Sequence, residues 1–298
     1  MRMSDINLAT LVRAAAVRME AAGLYFGHGT DNALDEACWM AAYTLELDPD
    51  FAPETFDRAV SREQHQRFEC LLEQRITSRK PLAYLIDEAW FAGLRFRVSE
   101  QVLVPRSPLA ELIVEGFEPW LPAERLRRAV DVGTGSGCIA IALASYHPRV
   151  EVDAVDISPA ALALAEANIQ AHDLAQRVRT VHSDLLQAVS DQRYDLILAN
   201  PPYVPEASME DLPAEYRWEP ALGLVAGADG LDLVRRLIVQ AADCLEDHGV
   251  LICEVGEAAE ALDQWLADEP VTWLEFAHGG DGVFLLDRPG CRRVAENL

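Results

Sequence analysis

Basic residues are scarce in this chain. Against 49 Asp and Glu stand 25 Lys and Arg, a formal net charge of −24 over 298 residues. That balance repels phosphate backbones and anionic membranes, argues against a basic nucleic-acid groove, and would attract a basic protein partner. Most of the excess reads as a solvated acidic surface that maintains solubility. Cysteine is sparse too: Cys38, Cys70, Cys138, Cys244, Cys253 and Cys291 form no C-x-x-C pair and keep no regular spacing. Neither a zinc cluster nor a disulfide framework is indicated, no metal is expected, and reduced thiols in a cytoplasmic protein fit best. No apolar run approaches the roughly 20 residues that a membrane span needs. Arg13 interrupts the apolar stretch from Leu8 to Val17 and no cleavage-like segment follows, so no leader is expected. The pattern G-x-x-x-x-G-K-[ST] is missing as well, which removes the phosphate-loop reading.

What is present is a 50% hydrophobic chain long enough for about two domains. From Asn7 to Ala22, Leu8, Leu11, Val12, Ala15, Ala16 and Met19 recur at helical spacing. A second helix starts near Asp31 or Asn32 and runs to about Leu47, where Asp48-Pro49 stops it. Ser61 with Gln64 is a capping-box pattern that opens a third, through Phe68, Leu71 and Leu72. Residues 1–80 thus read as a helical bundle without catalytic motifs, either a cap for the next domain or a substrate-recognition element. Residues 81–108 read as a β-hairpin linker: Pro81–Leu85 and Ala89–Val98 change the texture to aromatic and β-forming residues around Gly93. Pro105 and Pro108 stiffen the end of this stretch, with Ser107 placed to cap the helix through Ile113 and Pro108 as its first residue. Arg106 in that stiff segment faces either the active site or solvent.

Residues 109–298 alternate strands and helices, the pattern of a doubly wound α/β sheet with ligands outside the carboxyl ends of its strands. Ala129–Val132 is a short strand, followed by Gly133-Thr134-Gly135-Ser136-Gly137 and a helix from Cys138 to Tyr146. Alternating glycines let backbone approach a ligand at a helix N-terminus. A dinucleotide fingerprint needs G-x-G-x-x-G, and Cys138 breaks it, which weakens a nicotinamide or flavin assignment. Asp156 ends the second strand, Glu151–Val155, where a carboxylate can accept from both hydroxyls of a ribose; Asp153, inside the strand, is less suited. Ser183-Asp184-Leu185 leaves the third strand, Val178–His182, with Asp184 suited to an adenine amino group and Leu185 to its face. The fourth strand, Leu196–Ala199, ends in Asn200-Pro201-Pro202-Tyr203. The Asn200 amide oxygen and the carbonyl of Pro201, which has no N–H, offer closely spaced acceptors to an NH2 group, and Tyr203 offers an aromatic wall. A helix near Leu231–Leu245, a strand at Val250–Glu254, another helix and two terminal strands, Val271–Phe276 and Gly282–Leu286, complete the chain, the last two as an edge hairpin turning at Gly279-Gly-Asp-Gly282.

The glycine loop after Asp131, the acid at the second strand end, Ser-Asp after the third and Asn-Pro-Pro-Tyr after the fourth together resemble the S-adenosylmethionine-dependent methyltransferases of class I fold. Phe91-Ala-Gly-Leu-Arg-Phe96, Val104-Pro-Arg-Ser-Pro108 and Glu219-Pro-Ala-Leu-Gly-Leu-Val-Ala-Gly227 are similar to the protein glutamine N(5)-methyltransferase family, over about residues 81 to 290. Within it, Pro105-Arg-Ser-Pro108 and Leu185 depart from the Pro-Arg-Pro-Asp and the aromatic of the release-factor enzymes. With Ala89-Trp90 and Glu215-Tyr-Arg-Trp218, these departures resemble the branch acting on large-subunit ribosomal protein three.

The resemblance implies an α/β fold, a Rossmann-like doubly wound sheet with a terminal antiparallel hairpin, plus a small N-terminal helical domain. It implies S-adenosyl-L-methionine held by Asp131, Gly133, Thr134, Gly135, Ser136, Gly137, Asp156, Asp184, Leu185 and Asn200. Catalysis falls to Asn200, Pro201, Pro202 and Tyr203, with Phe91 or Phe96 closing the other side of the amide and Arg106 near the substrate. The implied partner is a basic ribosomal protein, with no direct sequence-specific nucleic acid and no membrane. The rivals are a release-factor glutamine methyltransferase and a DNA amino-methyltransferase, which shares the pentapeptide but needs a basic groove.

Overall fold

The computed structural model describes residues 6–267, 269–277 and 279–297. They form two compact units: residues up to Ala89 together with Pro213–Trp218, and Trp90–Leu212 together with the chain from Glu219 onward.

In the first unit, α1 (Leu8–Ala21), α2 (Ala33–Leu45) and α3 (Arg62–Ser78) begin where side chains satisfy the free N–H groups of the opening turn. Asn7 accepts from the Thr10 N–H and Asn32 from the Asp35 N–H, while Ser61 and Gln64 exchange both bonds of the capping box. The apolar stripe of α1, from Leu8 to Met19, packs with Met40 of α2 and with Phe68 and Leu72 of α3. Buried Arg75 donates to Glu36 at 2.7 Å and to the Tyr25 carbonyl at 2.9 Å. Glu215 of the returning segment pairs with Arg79 at 2.9 Å and accepts from the Tyr25 N–H. One expectation for residues 81–108 fails: Leu82–Ile86 is a short helix, α4, opened by Pro81, rather than part of an extended segment. The hairpin is confined to β1 (Glu88–Phe91) and β2 (Leu94–Arg97), turning at Ala92 and Gly93, both at positive φ.

The second unit begins its helices with α5 (Leu109–Glu115) and then alternates β3 (Arg128–Val132), α6 (Cys138–Tyr146), β4 (Glu151–Asp156), α7 (Pro159–Ala171), β5 (Val178–His182) and β6 (Tyr194–Ala199). After a long loop come α8 (Asp232–Cys244), β7 (Leu245–Glu254), α9 (Ala259–Trp265), β8 (Thr272–Trp273), β9 (Val283–Asp287) and α10 (Arg288–Glu296). The sheet order is β5-β4-β3-β6-β7-β9-β8, with β3 to β7 parallel and β9 antiparallel to both β7 and β8. Alternate residues feed opposite cores. Leu196 and Leu198 join α5, α6 and α7 on one face, whereas Ile197 and Ala199 join α8, α9 and α10 on the other. The two terminal strands do not complete the chain: α10 follows β9, opened by Asp287, which accepts the Gly290 N–H, with Pro289 in the first helical turn.

Chain order reverses at β3, which lies between β4 and β6, and the crevice outside such a switch point is where ligands bind in these sheets. The register brings the strand tips level. Val132 pairs with both Val155 and Ala199, and Ala199 pairs with Cys253. Gly133, Asp156, Asn200 and Glu254 therefore leave four neighbouring strand ends at one height. Among the described residues no helix is long and apolar enough to cross a membrane.

Candidate active site

Residues 133–137 turn sharply off β3, with φ of 74° at Gly133, 54° at Gly135 and 82° at Gly137, a left-handed series that side chains resist. The loop is tied down from both sides. Gly133 and Thr134 donate their N–H groups to the Val155 carbonyl, and Gly135 donates to Asp156 Oδ2 at 2.9 Å. Asp156 Oδ1 accepts from the Ser158 N–H at 2.8 Å. Each of its oxygens keeps a further lone pair for a hydroxyl donor. Burial raises the Asp156 carboxyl pKa, with the backbone donors of Ser158 and Gly135 pulling the other way.

Asp131 lies fully buried under the loop, where Oδ2 accepts from the Thr134 hydroxyl at 2.6 Å and from the Ala140 N–H at 3.1 Å. It therefore braces the loop against the first turn of α6. Its other oxygen, Oδ1, is buried and meets no hydrogen-bond partner among the described residues. An orphaned carboxylate oxygen beside a glycine cradle suits a ligand that brings a donor or a positive charge.

The pentapeptide stands on the neighbouring tip. A Cβ placed on Gly133 would lie 3.9 Å from the Asn200 carbonyl oxygen, so the glycine loop and the Asn-Pro-Pro-Tyr corner start side by side. Val204 then pairs with Val225, which folds the following loop back beside the corner. Tyr203 donates its hydroxyl to Glu254 Oε1 at 3.2 Å, and Ser107 donates to Oε2 at 2.6 Å. Glu254 was not singled out from the sequence, although a carboxylate ending a strand at that sheet edge was the signal available.

The other predicted residues have different surroundings. Phe91 and Phe96 are 4% and 1% exposed and belong to the core with Leu109 and Ile113. Neither closes the amide site, because alternation in so short a hairpin sends both rings inward. Arg106 makes a two-pronged ion pair with Glu219, whose Oε1 also accepts the Val104 N–H, so it clamps the proline segment while its side chain stays 25% exposed. Asp184 is paired with Arg236 and accepts from Gln187, and Leu185 is packed against the core at φ 51°. Helix α5 starts at Leu109, with Pro108 as its cap residue, and Ser107 accepts the Leu109 N–H at 3.2 Å.

Residues 112–214 match a family model described as methyltransferase small domain, and residues 11–86 match the PrmC N-terminal domain. A curated protein of Xylella fastidiosa (strain Temecula1), named ribosomal protein uL3 glutamine methyltransferase, is 46% identical over 97% of this chain and 91% of its own length. The protein of the same name from Xanthomonas campestris pv. campestris is 46% identical over 95% of this chain and 91% of its own. The chain belongs to the uL3 glutamine methyltransferase family. Among solved structures, the hMettl16 catalytic domain in complex with MAT2A 3'UTR hairpin 6 covers 82% of this chain and 90% of its own at a TM-score of 0.52 and 19% identity, a likeness of fold alone.

This methyltransferase depends on S-adenosylmethionine, whose cationic sulfonium and amino groups suit the Asp131 oxygen and whose ribose suits Asp156. Asp156→Ala is expected to weaken S-adenosylhomocysteine binding by about 1–3 kcal/mol, the range for hydrogen bonds to a charged group. Calorimetry showing unchanged affinity would remove Asp156 from the site.

Burial raises the Asp131 carboxyl to about 7, against the bonds from Thr134 and Ala140 and with a further push from the Asp156 charge. An unfolded aspartate loses its proton near pH 4. The folded methyltransferase holds that proton longer, so free-protein stability is expected to fall as pH rises from about 4 to about 7 and then level off. Asp131→Asn should flatten that slope. Melting curves of the free proteins that run parallel across this window would contradict it.

Proposed function

We propose that this methyltransferase transfers a methyl group from S-adenosylmethionine to the side-chain amide nitrogen of a glutamine in ribosomal protein uL3, in the cytoplasm where that protein is made. The observation that supports the reading is the neighbouring position of Gly133 and Asn200 at the ends of the paired strands β3 and β6, where a Cβ built on Gly133 would lie 3.9 Å from the Asn200 carbonyl oxygen, beside a corner suited to a planar NH2 group. The names of the relatives supply the substrate class. When bound, the donor supplies an electrophilic methyl group on a positively charged sulfur.

The chain's own task is orientation. A carboxamide nitrogen is a poor nucleophile because its lone pair is delocalised into the carbonyl. Asn200 Oδ1 and the Pro201 carbonyl accept the two N–H groups, which fixes the amide plane and presents the nitrogen to the methyl; such positioning supplies several kcal/mol of a barrier. Tyr203 walls the amide on one side. The nitrogen held by Asn200 and Pro201 would take the methyl group, leaving the donor's sulfur as a neutral thioether, and would then release one proton to water. No strong base is required, and neither Asp131 nor Asp156 is asked to supply one.

Incubating the protein with labelled donor and, in parallel, uL3, a release factor or DNA tests the proposal. Label on a glutamine of uL3 alone supports it. Label on release factor or DNA in preference to uL3 overturns the substrate assignment.

A further inference from the structure

We propose that Glu254 is a positioning residue for methyl transfer, acting through Tyr203: its carboxylate ties the tyrosine to the stiff segment at Ser107 and fixes the aromatic wall beside the Asn200 acceptor. The inference deepens the glutamine-methyltransferase reading and rests on it. Glu254 ends β7, the strand next to the one that delivers Asn200, and is 6% exposed. Its two oxygens are divided between two hydroxyls, Tyr203 on Oε1 at 3.2 Å and Ser107 on Oε2 at 2.6 Å. Ser107 in turn accepts the Leu109 N–H that opens α5. A continuous series of bonds thus runs from the start of α5 through Ser107 and Glu254 to the tip of the Tyr203 ring.

Directionality matters in that series. The Ser107 oxygen already accepts the Leu109 N–H while its hydrogen points to Glu254, and the Tyr203 hydrogen points there as well. A carboxylate serves both, with a separate acceptor oxygen for each. Burial raises the Glu254 carboxyl pKa, while the hydroxyls of Ser107 and Tyr203 and the charge of Arg106 favour the carboxylate form. The ring is confined sterically too, since a Cβ on Gly256 would come within 2.6 Å of it. Backed by Gly256 and tied at its hydroxyl, the ring is held in one orientation, which is what a wall for a planar amide requires.

A role confined to holding β7 against the proline segment would make Glu254 structural, and a double-mutant cycle separates the two. Single-turnover transfer to uL3 is measured for wild type, Glu254→Gln, Tyr203→Phe and the double variant, with the melting temperature and the S-adenosylhomocysteine affinity of each. Glutamine keeps the volume but puts an NH2 donor where one acceptor oxygen stood, so one of the two hydroxyls can no longer donate there. Each single change is expected to slow transfer about 10- to 100-fold, as loss of a hydrogen bond to a charged group does, with cofactor affinity unchanged. The double variant is expected to be no slower than the slower single, because both changes cut the same link. Multiplying effects, or a rate loss matched by lower melting temperature, would overturn the proposal. Crystal structures of Glu254→Gln and Glu254→Ala provide a reading independent of the substrate: the Tyr203 ring is expected to leave its orientation in the alanine variant. If wild type leaves uL3 unmodified but that ring moves, the substrate reading fails and the positioning role stands. If wild type modifies uL3 and the ring stays put, the reverse holds.

Discussion

Asn200→Ala is expected to abolish methyl transfer, by a factor of at least about 10³, while leaving S-adenosylhomocysteine affinity within a few-fold of wild type. The loss follows from geometry. One of two acceptors for the substrate NH2 disappears, and the remaining Pro201 carbonyl cannot by itself define the amide plane; removing a single preorganised group of this kind costs about 10²–10³ in rate even where the reaction is less dependent on orientation. The cofactor side is spared, because the backbone of residue 200 stays on the β6 tip beside Gly133 when only the side chain is cut. Calorimetry and single-turnover kinetics check the two halves separately. Parallel loss of binding and rate would assign Asn200 to the cofactor instead.

Gly230→Ala is expected to impair transfer about 10²-fold without replacing a site residue. Gly230 lies at φ 80°, and a Cβ there would stand 2.1 Å from the Tyr203 carbonyl oxygen, 0.9 Å inside the 3.0 Å that real Cβ contacts keep. The clash is with backbone, not with the end of a flexible side chain. Either the Pro-Pro-Tyr corner or the returning loop must shift by about an ångström, and a displacement of that size at a catalytic corner costs about 10²-fold. The left-handed conformation adds about 1–2 kcal/mol of strain for a non-glycine residue. Gly223→Ala in the same loop is the control: its φ is ordinary and its nearest neighbour is the movable Leu103 side chain at 3.1 Å. Near-normal transfer by the Gly230 variant would show that the corner tolerates movement, against the orientation mechanism.

The setting of this site was legible because strand ends are. Three short strands stop at Gly133, at Asp156 and at Asn200-Pro201, and parallel register places those stops at one height. What the chain order could not show is pairing across long separations. Glu254 reads as the end of an ordinary strand until the fold sets it beside Ser107, 147 residues away, and Tyr203, 51 residues away. Arg106 reads as an exposed or substrate-facing cation until Glu219 is found opposite it. Phe91 and Phe96 misled because an aromatic in a family motif serves a core as readily as a pocket, and nothing local distinguishes the two. The return of Pro213–Trp218 to the first unit was equally hidden, since burial of Glu215 against Arg79 and Tyr25 depends on helices more than a hundred residues earlier.

The orientation mechanism is tested most directly by a crystal structure of the protein with S-adenosylhomocysteine and the uL3 segment that carries the modified glutamine. The expected result is a glutamine Nε2 within about 3 Å of both Asn200 Oδ1 and the Pro201 carbonyl oxygen, hydrogen-bond distance to each. A glutamine seated elsewhere, or held by other groups with the Asn200 side chain turned away, would contradict it.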